Sequence, residues 1–175
     1  PVDPLACAVF RESNRNAAGE FDGCGLLPEQ VQGFGLGVMA ARARWCAQED
    51  GIDFANGRVY GPHGSGLVAA NDPAAYDKAV SARLTERTVH ANLEVRALGF
   101  KPYLAPALSS AAVSILSLVR GQPYYAALPL GGVWLGAQRR MTTLGPLQRR
   151  EPLHPALLAR IEAARLELEA FCHDA

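Results

Sequence analysis

The sequence predicts an α+β fold, with long helices packed on a small, mainly antiparallel sheet. Three observations predict it. Apolar residues recur at three- and four-residue steps over 155–171, a small and apolar run fills 107–121, and short β-branched or aromatic runs lie between glycines and prolines.

The elements follow in chain order. "VQGFGLGVMAARAR" carries Gly33, Gly35 and Gly37. A dinucleotide-binding turn would need its third glycine where Val38 stands and a buried strand before it, so the stretch reads as a short strand or turn feeding a helix from Val38 to about Gln48. "RVYG" reads as a strand. A second helix is expected from Asn71-Asp72-Pro73, with Asp72 capping the free amides, Tyr76, Val80 and Leu84 turned inward, and Gly99 as the stop. "ALSSAAVSILSLVRG" predicts a central helix surrounded by protein on most sides. "YYAALPL", "GVWLG" and "RMTTLG" read as strands in hairpins. Pro155 then opens an amphipathic last helix whose inward positions are Leu157, Ile161, Ala164, Leu168 and Phe171.

Composition bounds the function. The chain has 175 residues, 49% hydrophobic and 19% charged, with seventeen basic residues balancing seventeen acidic ones, which suits one globular domain over residues 1–175. A neutral balance offers no strong field for nucleic acid, so none is expected as a partner. The apolar runs are too short and too interrupted to span a bilayer, so no membrane partner is expected and the location is expected to be cytoplasmic. Cys7, Cys24, Cys46 and Cys172 lack metal or disulfide spacing and read as buried thiols. The chain opens on "PVDPLA" without a methionine, and is expected to be a piece of something longer.

Two positions stand out for chemistry. Arg42 and Arg44 are two apart on the first helix and so point in different directions, one to solvent and one inward; an inward guanidinium can hold a carboxylate through two parallel hydrogen bonds. His63 sits in "GPHGSG", where flanking glycines leave room beside an imidazole suited to acid–base work. A surface arginine pair and a locally bonded loop histidine are the plain alternatives. His90, His154 and His173 lie in a helix, at a helix start and in the tail, and no pair has metal-site spacing, so no metal is expected.

Taken together the motifs resemble the lactate and malate dehydrogenases. "PVDPLA" is similar to the Asn-Pro-Val-Asp segment that opens their catalytic half, "VQGFGLGVMAARARW" to their strand and helix ending Ala-Arg-x-Arg, and "VYGPHGSG" to their Gly-x-His-Gly segment. "KPYLAPALSSAAVSILSLVRGQPYYAALPLGGVWLG" resembles their lysine-glycine turn, buried helix and hairpin, and "EPLHPALLARIEAARLELE" the start of their last helix, all in the family's order. The resemblance implies a lactate/malate dehydrogenase C-terminal-domain-like fold, with an NAD-binding domain expected upstream. It implies an NAD(P)-dependent oxidoreductase that interconverts a small 2-hydroxy acid and a 2-oxo acid, with His63 as the proton-transfer residue and Arg42 as the carboxylate clamp. The cofactor is NAD, or NADP, held mainly by the upstream domain, and a homodimer or homotetramer is implied.

The pattern departs from the family at three places. The aspartate that pairs with the histidine falls on Met39, the hydroxyl residue after the lysine-glycine turn on Pro102, and the acidic residue before the histidine on Pro62. These departures support an alternative, a catalytically weak or inactive relative kept for ligand binding or oligomer assembly. A hydrolase in which His63 activates Ser65 is a third reading, without a nucleophile elbow to support it.

Overall fold

The computed structural model describes residues 2–14, 17–20, 25–99 and 104–173. Five α-helices and five strands follow one another as α1 (Val2–Ser13), α2 (Leu36–Glu49), β1 (Arg58–Tyr60), β2 (Val68–Ala70), α3 (Lys78–Ala97), α4 (Leu104–Val119), β3 (Tyr124–Leu130), β4 (Val133–Thr142), β5 (Gly145–Gln148) and α5 (Pro155–His173). Both sheets are antiparallel, as expected: β1 pairs with β2, and β3, β4 and β5 form a meander. The Gly61 amide donates to the Gly136 carbonyl at 2.9 Å, tying the end of β1 to β4.

The β1–β2 hairpin separates two apolar clusters. Val59 and Ala69 face Leu36, Met39, Ala43, Cys46 and Leu84 from α2 and α3. Tyr60, Val68 and Ala70 face Leu135, Leu157, Ile161, Ala164 and Leu168 from β4 and α5. Successive side chains on a strand point to opposite sides, so three-residue strands serve both clusters at once. With both faces buried, "VAA" shows no polar alternation and so carries no strand signal in the sequence.

Charged side chains bind the helices to one another. Arg87 of α3 pairs with Asp50 beyond α2, and its guanidinium lies 5.8 Å from the Trp45 ring centroid. Arg160 of α5 donates to the Tyr76 hydroxyl at 2.8 Å and to Thr85 Oγ1 at 3.1 Å.

Several expectations are corrected. The helix expected from Val38 is α2, and it begins two residues earlier, at Leu36, because Gly35 already has helical angles. The helix expected from Asn71-Asp72-Pro73 is α3, and it begins at Lys78. Asp77 caps it by accepting from the Val80 amide, while Asp72 closes a tight turn on the Ala74 and Ala75 amides. Tyr76 is buried just ahead of that helix, and Val80 is half-buried. "GVWLG" and "RMT" are one continuous strand, since Gly136 is held between β3 and the Gly61 amide and does not break it. α4 is not surrounded by protein: Val113, Ile115, Leu116 and Val119 are exposed, and Ser114 faces inward. Phe171 is also exposed, because the inward stripe of α5 passes from Leu168 to Cys172, four residues on, and leaves Phe171 to one side.

Cys7 and Cys46 are buried, and Cys172 is half-buried. Cys24 and Pro102 lie outside the described residues. Among the described residues, no helix is long and apolar enough to cross a membrane.

Candidate active site

His63 lies in the loop that joins β1 to β2. The loop turns tightly because Gly61, Gly64 and Gly66 have φ of 89°, 108° and 83°, angles that side chains with a Cβ rarely adopt. At its neck the Leu67 amide donates to the Gly64 carbonyl at 3.1 Å, and a Cβ on Gly61 would come within 2.6 Å of the Gly66 carbonyl oxygen. The glycines therefore shape the loop itself as well as leaving space around the ring.

The imidazole reaches across to the start of α2. His63 Nδ1 lies 2.8 Å from the Gly35 carbonyl oxygen, and a carbonyl can only accept, so Nδ1 carries the proton. The neutral ring then has its lone pair at Nε2. A carbonyl has two acceptor positions, which allows Gly35 to anchor the ring while also serving the first turn of the helix.

Arg42 stands on the same side of that helix. Counting at 100° per residue, Gly35, Met39 and Arg42 fall in one narrow stripe, with Arg42 about 10 Å along the axis from Gly35. Arg42 is half-buried and Arg44 is exposed, as their spacing implied. Met39 is 1% exposed between the two, and its sulfur lies 3.8 Å from Arg42 Nη1. Burial lowers the Arg42 guanidinium below its ordinary pKa, opposed in part by Cys46. Among the described residues no carboxylate pairs with Arg42 and none reaches His63.

His90 and His154 have structural partners. His90 Nδ1 meets the Glu86 carbonyl at 2.9 Å, and His154 Nδ1 accepts from the Ala156 amide at 3.2 Å at the start of α5. Ser65 is exposed, and among the described residues no hydrogen bond joins it to His63, which removes the geometric basis for a serine hydrolase. Pro62 is buried and lines a cavity of about 190 Å³ against α5. Sequence reasoning missed the Gly35 carbonyl, since a backbone acceptor carries no side-chain signature.

By sequence, the chain matches no protein-family model and no curated protein. By structure, it is similar to the malate dehydrogenase of Archaeoglobus fulgidus in complex with NADH (TM-score 0.67, 15% identity), covering 87% of this chain and 55% of that one. It is similar to that of Plasmodium falciparum (TM-score 0.64, 13% identity), covering 87% and 56%. The malate dehydrogenase of Aeropyrum pernix gives a TM-score of 0.63 at 17% identity, covering 87% and 58%. The chain thus spans a little over half the length of the enzymes it matches. In architecture it is a divergent malate dehydrogenase-like α+β domain, the fold its motifs imply.

Proposed function

We propose that the chain is the substrate domain of an NAD-dependent 2-hydroxy acid dehydrogenase of the lactate or malate type. Arg42 holds the substrate carboxylate, and His63 takes up or returns the hydroxyl proton. One observation carries this reading: the Gly35 carbonyl that anchors the imidazole, at the N-terminal end of α2, lies in one stripe with the partly desolvated Arg42 guanidinium, which has no carboxylate partner among the described residues. A guanidinium without a carboxylate partner is suited to a ligand carboxylate, which it meets in a planar two-bond fork.

The roles follow from the atoms. Nδ1 is committed to Gly35, so Nε2 is the nitrogen that exchanges a proton with the substrate oxygen. With its lone pair at Nε2 the neutral ring acts as base toward a 2-hydroxy acid, and the protonated ring acts as acid toward a 2-oxo acid. Arg42 fixes the carboxylate so that the reacting carbon is presented in one orientation. When bound, a nicotinamide cofactor supplies the hydride acceptor or donor.

The residues described do not suit the nucleotide part of that cofactor. Both sheets are antiparallel, and a dinucleotide cradle needs a parallel βαβ unit with a glycine turn. We therefore assign NAD, or NADP, to an upstream domain, and assembly to a homodimer or homotetramer in the cytoplasm.

A second reading, a weak or inactive relative used for ligand binding or assembly, is favoured by Met39. A thioether gives the imidazolium no counter-charge, and a backbone carbonyl gives only a dipole. The complete reading frame that includes this chain should be assayed for NADH-dependent reduction of oxaloacetate, pyruvate and larger 2-oxo acids. Turnover lost in His63→Ala supports the enzyme; no turnover above background on any of them establishes the second reading.

A further inference from the structure

A second charged site lies on one face of the β3–β4–β5 meander. Arg140 stands opposite Leu147 in the β4–β5 register, and Gln138 and Arg149 fall on the same face one pleat further along. With Pro123 and the strand at Arg139 they line a cavity of about 260 Å³.

Positive charge collects here in a chain whose net charge is zero. Arg140 is fixed by donating Nε to the Gly121 carbonyl at 3.0 Å, which leaves its terminal amino groups without a partner among the described residues. Arg149 meets Glu151 at 3.1 Å, but that carboxylate is shared with Arg58 at 3.4 Å and with the Tyr60 hydroxyl at 3.2 Å. Behind the same strand Arg139 is 3% exposed. Its Nη2 donates to the Leu135 carbonyl at 3.3 Å, its Nε has no partner, and no carboxylate among the described residues pairs with it.

Gln138 adds a polar need of the opposite kind. Its Oε1 is buried and accepts no hydrogen bond. A buried acceptor left unpaired is unfavourable, and a ligand donor would relieve it. The cavity therefore asks for anionic oxygens at its arginines and a hydroxyl at its amide.

We propose that this cavity binds a small hydroxylated phosphate ester. Arg140 and Arg149 hold the phosphoryl oxygens, a ligand hydroxyl donates to Gln138 Oε1, and Pro123 and Leu147 pack against the carbon skeleton. A phosphoryl dianion balances the arginines better than a single carboxylate does, and guanidinium forks match its oxygens. The volume lies below the ~300–1,000 Å³ of pockets for larger ligands, which restricts the ester to a few carbons.

The test is calorimetric titration of the complete protein that includes this chain with glycerol 3-phosphate at fixed low ionic strength, with inorganic phosphate and glycerol titrated in parallel. Saturable binding of glycerol 3-phosphate is expected, tighter than inorganic phosphate, with none for glycerol. The Arg140→Gln/Arg149→Gln pair should weaken it by about tenfold or more. Gln138→Leu should weaken glycerol 3-phosphate several-fold and leave phosphate unchanged. Arg149→Gln alone, at a half-exposed side chain, serves if the double variant fails to fold. Absence of saturation by about 10 mM ester, or unchanged affinity in a folded arginine variant, overturns the proposal.

Discussion

His63 is held by Gly35: the imidazole Nδ1 of the β1–β2 loop sits 2.8 Å from the carbonyl oxygen that caps α2, twenty-eight positions earlier in the chain. A backbone group fixes the ring here. The bond sets the neutral tautomer, because the carbonyl cannot donate. Nitrogen NMR of the ring-labelled chain should show protonated Nδ1 and a lone pair at Nε2. The opposite tautomer would remove Nε2 as the base toward a hydroxyl.

Arg42→Gln should leave the fold nearly unchanged, because the guanidinium makes no ion pair among the described residues. Charged hydrogen bonds are worth about 1.5–3 kcal/mol, so affinity for a 2-hydroxy or 2-oxo acid should fall by about 10- to 100-fold. Titration of both proteins with malate and pyruvate checks this. Equal affinity would show that the carboxylate binds elsewhere.

Gly136→Ala should damage both the sheet and the site. A Cβ at Gly136 would lie 2.4 Å from the Gly61 carbonyl oxygen and 2.7 Å from Leu36 Cδ2. The first contact is with backbone and cannot rotate away, so a loss of about 1–3 kcal/mol is expected in chemical denaturation. Since Gly61 starts the loop that carries His63, the His63 ring signals should shift as well.

Leu84→Ala and Leu157→Ala test the two apolar clusters separately. Each leucine is 0% exposed, one among α2, α3 and the hairpin and the other under α5. Each substitution should cost about 2–5 kcal/mol in equilibrium unfolding. A loss well below that range would mean the site collapses around the smaller side chain.

Arg139→Met should hold or raise stability at neutral pH, because burial of an unpaired guanidinium is unfavourable and a thioether of similar length is not. Burial pushes the Arg139 pKa down to about 10. The folded value lies below the unfolded one, so the native protein loses its proton first. The penalty is thus present in full below pH 10 and is relieved as pH rises through that value. The advantage of Arg139→Met should narrow above pH 10, which unfolding curves at pH 7 and pH 10.5 would show. Marked destabilisation at pH 7 would mean that the charge has a compensating partner.

What the sequence alone determined was whatever rests on local chemistry. The stripe Leu157, Ile161, Ala164 and Leu168 dictated α5, Gly99 ended α3, and the two-residue offset of Arg42 and Arg44 sent one inward and one out. His63 was legible because an imidazole between glycines is itself a local signal. Tertiary structure decided the rest. Asp77 displaced Asp72 as the cap of α3, since Asn71 and Asp72 were taken up by the turn and by Ser81. The apolar run of α4 does not say which of its faces meets a neighbour, and only packing left Val113, Ile115, Leu116 and Val119 exposed. The partner of His63 was decided the same way, because every residue carries a carbonyl and only the fold chooses which one an imidazole meets.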